Sequence, residues 1–260
     1  MKKIFEYLGV FAVLIFSFFY AEKVALIVQS KNPLMEEINT KKEDLKTLHV
    51  NALIQGEYII PGSNGLEIDS LKSFRNMQEF GIFNEYYLVY NQVKPDISLT
   101  NNKDKIIKNT NKNAVSLVFE SIGELSNYAS NHKINVLINS KNYNVNNNCE
   151  LINASNTKEE FSNLEALLNK NKRNNHICLL NDKNLEICKK YGNYLAEASL
   201  SLNSTNIAEI KRNLKKGIII LIKDNARLID LEILIKEISY KGMDIIFLSK
   251  LLSEDLVSSR

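Results

Sequence analysis

Tryptophan is missing from this 260-residue sequence, and glycine and histidine are scarce. The nine glycines form neither a Gly-x-Gly-x-x-Gly nor a Gly-x-x-x-x-Gly-Lys arrangement, so the sequence does not encode the backbone cradles that hold nucleotide phosphates. The serines at positions 199, 201 and 204 have no glycine elbow and no histidine close in sequence. This argues against a serine hydrolase.

An excess of one charge is also lacking. Thirty-three basic and 30 acidic residues leave a formal net charge of +3, and no basic cluster is interleaved with aromatic residues. Nucleic-acid-binding faces are built from such clusters, so nucleic acid is not an expected partner. With 45% hydrophobic and 24% charged residues, the composition is that of a globular protein with one large domain, or one domain with appendages.

One long apolar run stands out at the N-terminus, in residues 8–21, behind two lysines. Residues 4–20 contain a single charge, Glu6, and approach bilayer length when tilted. A signal-peptidase site would pair Ala21 with the bulky Phe19, so we favour a retained single-pass anchor over a cleaved signal peptide. The positive-inside rule then places the body of the protein outside the cytoplasm, and cleavage would make it a secreted protein.

Three cysteines are present, Cys149, Cys178 and Cys188. Outside the membrane a disulfide is permitted, and one between Cys178 and Cys188 would bridge a strand to the helix that follows it. Three small buried hydrophobic residues are the other interpretation, and both stay open. The spacing of these two cysteines from His176 fits no standard zinc pattern, so neither a metal nor another cofactor is expected.

The region before residue 114 is predicted to be a small α+β unit followed by a linker. Residues 31–48 are charged, with apolar residues at helical spacing, which indicates a juxtamembrane helix or stalk. Residues 49–99 contain short strand-like runs, a strong turn signal at 61–65 and an amphipathic helix. Residues 100–113 are polar and without periodicity, so we interpret them as a linker or exposed loop.

From residue 114 onward, continuous apolar strands alternate with helices. The first strand is predicted at 114–119, and the chain closes with a strand within 214–224, an amphipathic helix at 228–242, and a strand and short helix within 245–254. This alternation predicts a parallel sheet that is covered by helices on both faces or closed as a barrel.

The closing segment resembles the last βαβ unit of the polysaccharide deacetylase (NodB homology) family. In that family the first strand of the unit ends in a Leu-x-His-Asp-like sequence, and the chain closes with a Leu-Ser-x-Leu-Leu tail. Residues 221–224 (Leu-Ile-Lys-Asp) and 248–252 (Leu-Ser-Lys-Leu-Leu) occupy these places here. Residues 59–95 also resemble the region ahead of the deacetylase domain in membrane-anchored bacterial members.

The resemblance implies an α/β fold, a distorted, incomplete (β/α) barrel of NodB type. This deacetylase-like domain is expected at 114–260. It is preceded by a transmembrane helix or signal segment at 1–30, the small α+β unit at 31–99 and the linker at 100–113.

The resemblance also locates the chemistry and indicates its loss. Family members open the domain with Thr-Phe-Asp-Asp-Gly, in which the first aspartate is the general base and the second binds a divalent metal. Aligned on Phe119, Glu120 takes the base position and Ser121 the metal-ligand position. A neutral hydroxyl is a poor replacement for an anionic oxygen ligand. Lys223 stands where active members have a histidine that assists protonation of the leaving group.

Other family motifs are absent. The second motif supplies two metal-binding histidines three residues apart, and no two of His49, His132 and His176 are that close. The arginine-proline and aspartate-tryptophan motifs are not evident either. Because deacetylation in this family depends on a metal that polarises the acetyl carbonyl and activates water, the resemblance implies a pseudoenzyme.

The vestigial pocket is expected to contain Glu120, Ser121, Lys223 and Asp224, at strand ends, where parallel α/β folds carry their functional groups. We expect Glu120 and Lys223 to form an ion pair that fills the vacated pocket. Contact with a sugar or peptide is the alternative, and residues 223–227 are alternatively a solvated loop.

Three functional hypotheses follow. The first is a non-catalytic binding or scaffolding module of the bacterial cell envelope, held at the membrane, that contacts a cell-wall glycan or an envelope protein. The second is an active deacetylase of N-acetylated glycans with a non-standard site, in which Glu120 is the base and Lys223 the electrostatic stabiliser. The third is a structural interaction protein that works through residues 31–99. The oligomeric state stays open.

Overall fold

The computed structural model describes residues 30–138 and 149–256, together with residues 11, 13, 15–20, 23, 24 and 27. The N-terminal anchor predicted at 1–30 therefore falls partly outside the described residues. Within the described part, no helix combines the length and the apolar character that a membrane crossing needs.

The helices and strands alternate through most of the chain. In order they are α1 Pro33–Asp44, β1 Leu53–Gln55, β2 Tyr58–Ile60, β3 Gly65–Ile68, α2 Ser70–Met77, β4 Tyr90–Val93, β5 Ile106–Ile107, β6 Ala114–Phe119, α3 Glu124–Tyr128, β7 Ile134–Ile138, β8 Cys149–Asn153, α4 Lys158–Lys170, β9 Ile177–Leu179, α5 Leu185–Lys190, β10 Tyr194–Ala196, β11 Leu200–Leu202, α6 Ile207–Asn213, β12 Ile219–Ile222, α7 Leu228–Tyr240, β13 Asp244–Ile245 and α8 Leu248–Leu252. Short 3-10 helices lie at Glu85–Tyr87 and Ala129–Asn131.

The chain forms two compact units, a small one from residues 1–49 and 65–93 and a large one from residues 50–64 and 94–260. In the small unit, α1 and α2 pack together beside the antiparallel pair β3 and β4. Its buried core contains apolar residues from α1, β3 and α2, namely Leu34, Met35, Ile38, Ile68, Phe74 and Met77. The Asn32 and Asp69 side chains accept hydrogen bonds from backbone N–H groups in the first turns of α1 and α2, so both helices begin at a capping residue.

The large unit is a mixed α/β fold whose sheet curls into a half-barrel. Its strand order is β1-β2-β5-β10-β9-β8-β7-β6-β12-β11, and β13 also pairs with β6. All pairs are parallel except the β1–β2 hairpin. The alternation of strands and helices that the sequence predicts from residue 114 onward is confirmed as a mixed α/β fold with a curled sheet. The barrel is incomplete because β10 and β11 lie at opposite ends of the run of seven parallel strands.

Two segments that the sequence analysis did not place in the deacetylase-like domain extend its sheet beyond β10. Residues 106–107, interpreted above as part of a linker or loop, form β5, because Ile106 and Ile107 are both buried. The β1–β2 hairpin then pairs with β5. The chain after β5 passes so close to Gly217 that a Cβ there would lie 1.8 Å from the Thr110 carbonyl oxygen, and Gly217 has φ +78°. The predicted four-part domain division itself stays a prediction.

Alternate residues of β6 face two separate cores. Val115, Leu117 and Phe119 belong to the outer core, which includes residues of α6 and α7. Ala114 and Val118 belong to the inner core, which collects residues from several strands and from the terminal helix α8, whose Leu248, Leu251 and Leu252 are buried there. The short final helix therefore fills the inside of the half-barrel.

Polar side chains from the strands hold the start of α8. Asn135 of β7 is fully buried, and its Oδ1 accepts a hydrogen bond of 2.8 Å from Leu248 N. Glu150 of β8 accepts one of 3.0 Å from Ser249 N and another from the Ser249 hydroxyl. The amide of Asn135 donates in turn to Ser116 Oγ at 2.7 Å. The first N–H groups of a helix have no acceptor within the helix, and buried N–H groups need one. Asn135 and Glu150 provide these acceptors, which allows α8 to be buried.

A disulfide joins Cys178 of β9 to Cys188 of α5, with a Cα–Cα distance of 5.9 Å. The bridge thus connects a strand to the helix that follows it, the first of the two arrangements that the sequence left open. Both cysteines are fully buried in a small core with Phe161 and Leu195. Cys149 lies outside this bridge, and burial raises the pKa of its thiol.

We expect Asn135→Ala to lower the free energy of unfolding by about 2 kcal/mol, because the buried Leu248 N–H loses its acceptor. The matched control is Asn163→Ala, on the exposed face of α4, which should change this free energy by less than about 0.5 kcal/mol. Denaturant unfolding of both variants provides the measurement. Equal effects of the two substitutions would contradict the role assigned to Asn135.

Candidate functional site

The four predicted site residues follow two neighbouring strands. Phe119 of β6 is in register with Ile222 of β12, so the residues that come next, Glu120 and Lys223, leave the sheet side by side. Backbone hydrogen bonds fix both positions, from Glu120 N to Ile222 O at 3.0 Å and from Lys223 N to the Leu202 carbonyl oxygen at 3.0 Å. The structure therefore brings these residues together at the carboxyl edge of the sheet, where α/β folds carry functional groups.

Hydrogen bonds and one ion pair join these four residues, Glu120, Ser121, Lys223 and Asp224, in a single network. Lys223 Nζ lies 2.6 Å from Glu120 Oε1, and Asp224 N donates to Glu120 Oε2 at 3.0 Å. The Ser121 hydroxyl donates to Asp224 Oδ1 at 2.7 Å. The expected ion pair between Glu120 and Lys223 is confirmed. We refer to these four residues as the mouth network.

The mouth network engages both oxygens of the Glu120 carboxylate. A general base needs a lone pair aimed at the proton that it removes, within hydrogen-bond reach. Here one oxygen accepts from an ammonium group and the other from a backbone N–H. The side chains of Glu120 and Lys223 are 30% and 40% exposed, so water weakens their attraction, and the pair contributes at most about 1 kcal/mol of stability.

The residues at the mouth do not fit the divalent metal that the family resemblance implies. Such a metal needs anionic or imidazole ligands, but Ser121 offers a hydroxyl that already donates to Asp224, and Lys223 brings a positive charge to the same place. Within the described ranges, no three His, Cys, Asp or Glu side chains are grouped so that they could hold a metal ion.

A cavity of about 390 Å³ lies beside the mouth network. Its polar lining residues are Ser121, Glu124 and Asp224, and its apolar lining residues are Phe119, Leu125, Ile222, Ala226 and Leu228. This volume falls within the range of about 300–1,000 Å³ that is typical of small-molecule sites. Hydroxyl and carboxylate groups next to an apolar wall suit a ligand with one polar and one apolar side.

The segment from Lys223 to Arg227 is a turn that is held by hydrogen bonds and is largely exposed to solvent. Ala226 N donates to the Lys223 carbonyl oxygen at 2.9 Å. The Arg227 guanidinium binds the buried Asp230 with two hydrogen bonds, of 2.6 and 2.8 Å. Sequence reasoning missed this pair, although an acidic residue three positions after an arginine at a helix start is a usable signal.

A second cavity, of about 290 Å³, lies at the amino end of β6 and includes Lys112, Gly62, Ser63 and Asp255 in its lining. Burial lowers the pKa of the Lys112 ammonium to about 8, with a further decrease from Lys250 that Asp255 opposes. Its Nζ donates to the Lys250 carbonyl oxygen. No sequence signal marked Lys112, which lies in a polar segment with several other lysines.

Comparison with known proteins identifies the fold. No protein-family model matches the chain. Wild-type BA3943 from Bacillus anthracis, a CE4 family pseudoenzyme, matches with a TM-score of 0.58 and 17% identity, over 86% of this chain and 96% of that one. A BA3943 mutant with restored enzymatic activity also gives a TM-score of 0.58 and 17% identity, over 86% and 99% of the two chains.

One curated protein shares a short stretch of sequence. Seventy-four residues are 39% identical to the uncharacterized protein YlxY of Bacillus subtilis (strain 168), which is 28% of this chain and 23% of YlxY. The match therefore spans less than a quarter of the length of YlxY. The structural matches establish the fold, which is that of CE4 family, NodB-like polysaccharide deacetylase chains. The resemblance predicted from the closing βαβ unit is confirmed at this level.

We expect the mouth ion pair to show a measurable coupling energy. A double-mutant cycle with Glu120→Gln and Lys223→Met should give a coupling of about 0.5–1 kcal/mol in the free energy of unfolding, as is usual for half-exposed pairs. The control cycle replaces Lys223→Met with Lys211→Met, since Lys211 is paired with Glu237 instead. Coupling no larger than in the control would show that the ion pair does not form in solution.

The low pKa of Lys112 predicts a dependence of stability on pH. Because the unfolded chain binds this proton up to a pH of about 10.5 and the folded chain only up to about 8, the free energy of unfolding should rise as the pH increases through this interval. Lys112→Met should remove this component, whereas Lys133→Met, at an exposed position, should retain it. Denaturant unfolding between pH 7 and 10.5 tests the difference, and identical profiles for the two variants would contradict it.

Proposed function

We propose that the protein is a non-catalytic, polysaccharide-deacetylase-like binding or scaffolding module of the cell envelope. The observation that carries this proposal is the mouth network, in which a lysine occupies the centre of the former catalytic edge and neutralises the only carboxylate at the base position. A closed ion pair in place of an open metal site favours binding over hydrolysis.

Two further observations support the absence of catalysis. Deacetylation in the family that this chain resembles depends on a metal that acts as a Lewis acid and activates a water. Among the described residues at the mouth there is no metal-ligand set, and both oxygens of the Glu120 carboxylate are engaged. In addition, the neighbour BA3943 has the same fold and is itself a CE4 family pseudoenzyme.

The cavity beside the mouth network is the proposed binding site, and a cell-wall glycan is the proposed ligand. Each sugar ring carries hydroxyl groups at its edge and C–H groups on its faces. The hydroxyl and carboxylates of Ser121, Glu124 and Asp224 match the edge, and the apolar wall matches a face. Recognition of this kind needs shape and hydrogen bonds but no metal.

The proposed location is outside the cytoplasm, with the N-terminal apolar run as the attachment to the membrane. The Cys178–Cys188 disulfide supports this location, because structural disulfides persist in oxidising compartments and are rare in the cytosol. The two lysines ahead of the apolar run at the N-terminus support the same location.

The first test is hydrolysis. We expect the purified full chain, incubated with N-acetylglucosamine tetramers and added zinc or cobalt, to release no more acetate than a protein-free sample. An active polysaccharide deacetylase serves as the positive control. Acetate release that disappears in Glu120→Gln would instead establish the second hypothesis, an active enzyme with a non-standard site.

Binding of the same tetramer, followed by calorimetry, locates the contact. Asp224→Ala should weaken binding at least fivefold, because Asp224 lines the cavity, and Asp182→Ala, at an exposed position elsewhere, should not.

The alternative interaction through residues 31–99 is favoured by an exposed apolar patch in the small unit, where Tyr86 is 91% exposed and the Phe80 and Tyr87 rings stack. Weakening by Tyr86→Ser but not by Asp224→Ala would support that alternative.

A further inference from the structure

The half-barrel has an opening between β10 and β11, and the chain after β5 runs through it. Glu197 N, just after β10, donates to the Ile107 carbonyl oxygen at 2.9 Å. The Ser199 hydroxyl, just before β11, donates to the carbonyl oxygen of Lys108. Asn109 forms an antiparallel bridge with Ile218. Residues 107–109 thus fill the gap that a complete barrel would close by direct strand pairing.

A cavity of about 400 Å³ lies at this junction. We call it the junction cavity. It is lined by part of the inserted segment, the residues that begin β11 and the end of α6, namely Lys108, Asn109, Ser199, Leu200, Arg212, Asn213, Leu214, Lys215 and Ile218. Three of these nine residues are basic and none is acidic. The cavity is therefore distinct from the one beside the mouth network, which contains two carboxylates and no basic residue.

Contacts with residues outside the lining hold Lys108 and the sequence neighbours of the other two basic residues. Lys108 Nζ lies 2.7 Å from Glu197 Oε1, and this carboxylate raises the pKa of Lys108. Lys241 Nζ donates to the Leu214 carbonyl oxygen at 2.9 Å, next to Lys215. Lys211, next to Arg212, is paired with Glu237 at 3.1 Å. Glu197 thus neutralises Lys108, while Arg212 and Lys215 have no carboxylate partner within the described part of the chain.

We propose that the junction cavity is a binding site for a phosphate group, as a monoester or a diester. Two uncompensated cations on a concave surface attract an anion. A guanidinium presents paired donors that match phosphate oxygens, and a lysine adds a point charge. The asparagines Asn109 and Asn213 belong to the same lining and add polar residues to it.

The size and composition of the cavity favour a phosphate on a small carrier over an extended nucleic acid. A volume of about 400 Å³ accommodates one phosphate and an adjoining polyol or sugar. No aromatic side chain, on which a base would stack, contributes to the lining. The site does not depend on the glycan site proposed above, because the two cavities share no lining residue.

Titration of the ¹⁵N-labelled full chain, in a non-ionic detergent, with inorganic phosphate tests the proposal. At constant ionic strength, we expect saturable shifts of the backbone amide signals of Lys108, Asn109, Ser199 and residues 212–215, and none of these shifts with sodium chloride. Equal shifts with chloride, or shifts spread evenly over the surface lysines, would overturn the proposal. Glycerol 3-phosphate and phosphatidylglycerol micelles, compared in two further arms, distinguish a soluble ester from a lipid headgroup as the source.

Charge-removing variants provide the control. Arg212→Gln combined with Lys215→Gln should raise the dissociation constant for inorganic phosphate at least tenfold. The matched double variant Lys189→Gln and Lys190→Gln, which removes two exposed charges at the end of α5, should change it less than twofold. Unchanged affinity in the first variant, or the same loss in both, would show that general surface charge and not the junction cavity attracts the anion.

Discussion

The large unit depends on the hydrogen bonds that the first backbone N–H groups of the terminal helix α8 form inside the half-barrel. A five-residue helix has little stability of its own, and its first N–H groups cannot be buried without acceptors. Asn135 and Glu150, from adjacent strands, provide those acceptors. The apolar side chains of α8 then fill the space that the curled sheet encloses. The strands fix the helix and the helix fills the sheet, so neither reaches its final packing without the other.

The carboxyl edge of the sheet depends on a pairing between two neighbouring strands. Lys223, after β12, supplies the cation that pairs with the Glu120 carboxylate, after β6. Backbone pairing of β6 with β12 brings the two residues together whatever their side chains are. The backbone of the two strands therefore sets the distance between these two positions, and the side chains present there decide the chemistry.

The sequence predicted the elements whose apolar pattern is long or continuous. The strands β6 and β12 were recognisable because burial of both faces of a strand leaves a continuous apolar run, and the helix α7 because burial of one helix face leaves a helical period. The strand β5 was not, since two isoleucines in a lysine- and asparagine-rich segment give no period. The mouth residues followed from the family motif, whereas Lys112 and the junction cavity were missed. Those two depend on contacts between residues far apart in the chain, which no local pattern records.

Each of the two units is formed by two separate stretches of the chain, which limits how either unit could be removed or transferred. Residues 50–64 belong to the sheet of the large unit but lie between the two halves of the small one. Neither unit can therefore be cut out as a continuous stretch of chain. A fragment that starts at residue 114 would lose β1, β2 and β5 and leave β10 as an open edge, which is a template for aggregation. Gene duplication or domain shuffling would have to carry both units together, so they are a single unit of inheritance.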